Sequence, residues 1–166
     1  QLMKEFLGVR GFALFKGEIL TSMSRKGSRS VGVTQISVIF EKKVHPYMYY
    51  GPKAWIPDHV LNKGIHYGFQ SIHTPLTRHH ANFDNAYLFS PTVVGLVQHY
   101  GTVKEFERTY ISSHMMIRKL WVNNWVNKWK SKKVFDKLEQ RYQCDVVPYD
   151  REEVYNGTWQ DNRDAY

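Results

Sequence analysis

The stretch TVKEFERTYISSHMMIRKLWVNNWVNKW, from Thr102 to Trp129, governs the reading of the C-terminal half. Val103, Phe106, Tyr110, Ile117, Trp121, Trp125 and Trp129 recur at steps of three, four or seven, the spacing that places side chains on one face of a helix. Thr102, with Glu105 three residues on, has the form of a capping box. The spacing therefore predicts one long amphipathic helix over 103–129. On it Trp121, Trp125 and Trp129 would form an aromatic ladder, flanked by Arg118, Lys119, Lys128, Lys130, Lys132 and Lys133.

Neighbouring signals extend this helical half. Ser90-Pro91 can open a shorter helix over about 91–100, with Gly101 as its stop. A turn is expected near Ser131, followed by a final helix carrying Val134, Phe135, Leu138 and Tyr142. Upstream, Val31, Val33, Ile36, Val38 and Phe40 are nearly period two and rich in β-branched residues, which predicts a strand. Gly11 to Leu20 reads as its partner, and residues 1–10 as one or two helical turns. The connection TSMSRKGSRS makes the pair a hairpin with a basic tip of Arg25, Lys26 and Arg29.

Between the two halves, residues 44–89 hold Pro46, Pro52, Pro57 and Pro75 together with Tyr47, Tyr49, Tyr50, Trp55, Tyr67 and Phe69. Proline should keep regular elements there short, while the aromatic content is too apolar for a free linker. The fold class expected is α+β: an N-terminal antiparallel β-hairpin, an irregular Pro- and aromatic-rich middle, and a C-terminal helical half with one long amphipathic helix.

The chain has 166 residues, 42% hydrophobic and 23% charged, which fits one globular domain and argues against wholesale disorder. Its net charge of +8 is unevenly spread. Residues 144–166 hold six acids against two bases, a net −4, which leaves 21 bases and 9 acids, a net +12, on residues 1–143. The division expected is a basic domain over 1–143 and an acidic, mostly extended tail over 144–166. A positive body favours RNA, anionic lipid or an acidic protein face.

Cys144 is the only cysteine, so no internal disulfide can form, and no thiolate metal site of the usual kind can be built. The longest mostly apolar run, Ala86 to Val97, is short of the ~20 residues that span a bilayer.

Eight histidines invite a metal reading, but the spacing argues against one. His79 and His80 are adjacent and would diverge, and His59, His66 and His73 are seven apart in a proline-broken region. Asp58-His59, Asn62 and His66 supply the residue types of an HNH-type nuclease site. Such a site needs a hairpin between its histidine and asparagine, and here two residues separate His59 from Asn62. Ser112-Ser113-His114 lies within the predicted helix, where adjacent side chains diverge. Gly8, Gly11 and Gly17 lack the following helix and lysine of a phosphate-cradling loop.

No metal or cofactor is therefore expected, and binding stands above catalysis. The candidate contact residues are Arg25, Lys26 and Arg29 at the hairpin tip, and Trp121, Trp125, Trp129, Lys128, Lys130, Lys132 and Lys133 on the helix. The function expected is that of a non-catalytic accessory subunit of a large multi-subunit assembly, mitochondrial given that the chain opens on Gln1 and holds one cysteine. That assembly would be a respiratory-chain or ATP synthase complex or a mitochondrial ribosome. A metal-dependent nuclease using His59, His66 and His79 or His80 is the enzymatic alternative, and a free-standing nucleic-acid-binding module is the third.

Overall fold

The computed structural model describes residues 5–15, 17–21, 50–64, 67–74, 92–122 and 124–156. Seven strands run β1 (Phe6–Phe15), β2 (Ile19–Thr21), β3 (Lys53–Trp55), β4 (Phe69–Ile72), β5 (Thr92–Glu105), β6 (Thr109–Val122) and β7 (Asp145–Pro148). Three helices, α1 (Asp58–Leu61), α2 (Asn124–Tyr142) and α3 (Arg151–Asn156), complete the described chain.

The centre of the fold is the β5–β6 hairpin, two strands of 14 residues each. Along one edge of β5 runs β1, antiparallel from Phe6↔His99 to Ala13↔Thr92. Along the other edge of β6 lie β4 (Phe69↔Ser112 to Ile72↔Thr109), then β3 (Lys53↔Met116 to Trp55↔His114), then β7 in parallel (Lys119↔Asp145 to Val122↔Pro148). A pairing of Val9 with Ile72 joins β1 to β4, so β1, β5, β6 and β4 close into a ring. Within that ring lie Phe12, Phe69, Val93, Val97, Met115, Ile117 and Leu120, and α2 lays Val134, Leu138 and Tyr142 against the same cluster. The Tyr142 hydroxyl locks the helix in place by accepting from Leu20 N at 2.7 Å and donating to Tyr50 O at 2.7 Å. Outside the ring, Leu7, Val9, Val94 and Trp121 form a second cluster, closed over by Val154 of α3.

This architecture overturns the predicted helical C-terminal half. Residues 92–122, expected as a short helix and most of a long one, form the two longest strands. The physical cause is burial on both faces. Val93 and Val97 point into the ring while Val94 points into the outer cluster, so the apolar residues do not alternate and a period of two is hidden. The β-branched content of TVVGLV and the threonines were the surviving strand signal. Thr102 caps no helix. It lies on β5, where its hydroxyl donates to Asp58 Oδ1 at 3.1 Å and its N–H to Ser113 Oγ at 3.0 Å.

Trp121 belongs to β6 and Trp125 and Trp129 to α2, so the three do not share a helix face. The predicted final helix is the C-terminal part of α2, with Val134, Leu138 and Tyr142 buried, but the helix runs through Ser131 without a turn. The N-terminal residues Phe6 to Arg10 are strand and not helix. The segment 11–20 is divided between β1 and β2 by a turn at Gly17, whose φ of +72° suits a residue without Cβ. Its expected partner over 31–40 lies outside the described residues.

In the described part of the middle segment, residues 50–64 and 67–74, β3, α1 and β4 are short, and both strands join the main sheet through β6. The first part of the acidic segment adds a strand to the sheet and a helix, with Val146 and Val154 buried.

Candidate binding site

Alternation along β3, β6 and β5 decides which side chains leave the ring. Ala54, Met115 and His99 point inward and are buried, so their neighbours Trp55, His114 and Tyr100 point outward on three adjacent strands. The registers Trp55↔His114 and Tyr100↔His114 put the three rings in one row. Trp55 stacks on His114 with centroids 6.5 Å apart and planes inclined by 23°, and Tyr100 leans on the other side of His114 at 5.0 Å. Trp55 is 59% exposed, the largest exposure of any large hydrophobic side chain among the described residues. The next row holds Lys53, Met116 and Gln98, and beyond it Arg118 bonds the Gln98 side chain and pairs with Glu5 at 3.6 Å.

Such a row can present ring faces to a flat partner with cations beside it. At its other end the outer face is covered, because Trp121 is fully buried under Val154 with Lys119 Nζ 5.2 Å from its ring. Trp121 is thus a packing residue and offers no ladder surface. Trp125, Trp129, Lys128, Lys130 and Lys132 belong to α2, and Lys133 on the same helix is exposed. Arg25, Lys26 and Arg29 lie outside the described residues. Trp55, His114 and Tyr100 were missed because only the strand register brings them together. The one local trace is the outward-inward alternation of Lys53, Ala54, Trp55 and Ile56.

Inside the ring a polar cluster accompanies the apolar core. His99 bonds Ser112 Oγ through Nδ1 at 2.6 Å and Ser71 Oγ through Nε2 at 2.5 Å. Because the Ser112 hydroxyl donates to His114 O at 2.6 Å, it accepts from His99 Nδ1–H, which leaves Nε2 to accept from Ser71. Burial, with the Arg10 charge nearby, pushes the His99 pKa down to about 3. The pattern resembles a serine activated by histidine. A buried ring that holds a proton so weakly is a poor general base near neutral pH, so the trio acts as a polar rivet across β4, β5 and β6. His73 adds a second tie, with Nε2 at 2.7 Å from Phe106 O and its ring stacked on Tyr110 at 4.2 Å.

Arg10 shares this interior at 8% exposure. Its guanidinium lies 4.8 Å from the Phe12 ring centroid and 5.2 Å from that of Tyr50, and Nη1 reaches only the Met115 sulfur at 3.9 Å. Arg10 Nε and the Tyr50 hydroxyl are buried and make no hydrogen bond of good geometry, although Arg10 acts on the Tyr50 hydroxyl both as a charge and as a side-chain hydrogen-bond donor. Ring faces return about 0.5–2 kcal/mol each to a cation, while burying a charge costs several, so these contacts leave Arg10 under-compensated.

No group of three or more His, Cys, Asp or Glu that could hold a metal ion occurs among the described residues. Asp58, His59 and Asn62 sit on and just after α1, all exposed, and His66, His79 and His80 lie outside the described residues. Among the described residues no helix is long and apolar enough to cross a membrane. Comparison with protein-family models, with curated proteins and with solved structures finds no match to this chain.

Proposed function

We propose that this chain is a non-catalytic, basic binding subunit of a nucleoprotein assembly, and that it takes single-stranded nucleic acid on the outer face of its sheet. The observation that carries the reading is the exposed row Trp55–His114–Tyr100 on adjacent strands. Bases stack on aromatic side chains whatever their sequence, and a single strand can splay its bases across a sheet as a duplex cannot. Charge supports the same partner. The chain carries +8 overall, and α2 holds Lys128, Lys130, Lys132, Lys133, Lys137 and Arg141 against Asp136 and Glu139.

Fluorescence anisotropy with labelled single-stranded RNA and DNA oligonucleotides tests the proposal. Wild-type protein should bind, more weakly as salt rises, because phosphate contacts release counterions. Trp55→Ala should weaken binding about 5- to 150-fold, equivalent to the roughly 1–3 kcal/mol of one stacked base. Its melting temperature should barely move, since Trp55 is mostly exposed. Equal binding by Trp55→Ala and wild type would remove the aromatic row from the interface. Failure of the wild type to bind any oligonucleotide at low salt would sink the reading. For the assembly, sedimentation of the endogenous protein in a heavy particle, with release on nuclease treatment, is the expected result.

A further inference from the structure

A β-bulge beside the exposed aromatic row sets the chemistry of its central ring. The pairing of β5 with β6 shifts register between Tyr100 and Val103, so Gly101 and Thr102 together face Ser113 alone. Gly101, with a φ of +72°, makes the bulge possible: a Cβ there would lie 2.3 Å from His114 Nδ1 and 2.6 Å from Ser113 Oγ. At the bulge Thr102 N–H donates to Ser113 Oγ at 3.0 Å, and the Thr102 hydroxyl is tied to Asp58 Oδ1 at 3.1 Å. Ser113 is fully buried, and the acceptor within reach of its hydroxyl proton is His114 Nδ1 at 2.7 Å. A relay from Thr102 N–H through Ser113 O–H therefore ends on the Nδ1 lone pair. The neutral imidazole then carries its own proton on Nε2, which has no hydrogen-bond partner among the described residues. Half-buried between Trp55 and Tyr100, His114 gives the row an N–H donor and no acceptor.

Guanine and thymine or uracil present a keto oxygen where adenine and cytosine present an amino donor. We propose that His114 is the specificity-determining residue of the row: Nε2–H donates to the keto oxygen of a bound base, so the site prefers keto bases to amino bases. This rests on the reading of the row as a site for single-stranded nucleic acid. Ser113 is the positioning residue, because its hydroxyl decides which ring nitrogen holds the proton. With the proton on Nδ1 instead, Nε2 would meet the strand as an acceptor and the preference would turn to amino bases. A contact to phosphate or sugar would not distinguish the bases at all.

Fluorescence anisotropy of the whole chain with labelled decauridylate and decacytidylate, which share a backbone and differ in keto against amino at the base, tests the assignment. Wild type should bind decauridylate about 3- to 10-fold more tightly, the scale of one neutral hydrogen bond. In His114→Phe, which keeps a ring and lacks the donor, the two affinities should become equal, whatever their level. Imidazole nitrogen spectra at about pH 8.5, where a free histidine is neutral, should show the wild-type His114 proton on Nε2. In Ser113→Ala, without the donor to Nδ1, both tautomers should appear. Equal wild-type affinities for the two strands, an unchanged ratio in His114→Phe, a wild-type proton on Nδ1, or Nε2 alone protonated in Ser113→Ala would overturn the assignment and leave single-strand binding by the row standing. Absence of binding to either strand would instead strike the row as an interface, and the role of His114 with it.

Discussion

His99 is where the polar interior meets measurable thermodynamics. In the unfolded chain its imidazole titrates near the ordinary 6.5, and in the folded ring burial, with the Arg10 charge second, holds it down to about 3. Between these values the unfolded state binds the proton and the native state does not. Stability is therefore intact above pH 6.5 and falls as the pH drops toward 3, by about 1.4 kcal/mol per unit from this site. Urea unfolding at pH 7.5, 5.5 and 4.5 should show that loss. His99→Gln, which cannot titrate, should lack about 2–3 kcal/mol of the decline between pH 6.5 and 4.5, whatever its own stability. Parallel pH profiles for the two proteins would mean that the ring is not held neutral. Cys144 shows the same physics at a thiol: burial first, then Asp145 and Glu139, raise it to about 11, so it is a weak nucleophile at neutral pH.

Where strands cross, the ring depends on close approach. A Cβ on Gly8 of β1 would lie 2.0 Å from Ser71 Oγ and 3.0 Å from Ile72 O, so β4 can sit against β1 only because position 8 is bare. Elsewhere in a strand, Gly→Ala would gain roughly 0.5–1 kcal/mol. Here the methyl must push Ser71 away from His99, leaving a buried acceptor unbonded, and Gly8→Ala should cost about 2–4 kcal/mol. Ser71→Gly should recover part of that loss in the double mutant, a coupling that additive effects would not give. The same elements show what sequence could reveal. Val134, Leu138 and Tyr142 were legible because residues 133–142 of α2 are buried on one stripe, so a helical period survives there. The strands β5 and β6 were not, since apolar residues on both faces erase alternation, and Trp121 happened to fall at helical spacing from Ile117 and Trp125. The row Trp55, His114 and Tyr100 is a property of register, which couples positions 55, 100 and 114, and only the alternation around Trp55 leaves a local trace of it.

On the scale of the whole molecule, charge and packing make different claims on the C-terminal segment. Its acids oppose a basic body, and composition alone suggested an extended tail of little weight in the fold. Packing gives residues 145–156 a structural share: β7 extends β6 in parallel, Tyr149 N donates to Val122 O at 2.8 Å, and Lys119 meets Glu153 at 2.5 Å. Val154 is fully buried against the outer cluster of Leu7, Val9, Val94 and Trp121. Val154→Ala removes two methyl equivalents, about 1.6 kcal/mol by transfer alone, with a further cavity penalty. Truncation after Pro148 should therefore destabilise more than Val154→Ala does, because it also uncovers Trp121 and takes away the partner of Lys119. Thermal melts of the two variants, with tryptophan emission followed at low temperature, check this. The truncated chain should melt lower than Val154→Ala and show a red-shifted emission from a newly wetted Trp121. A truncated protein with wild-type melting temperature and unchanged emission would show that the ring stands without α3, and would return the segment to the role of a surface appendage.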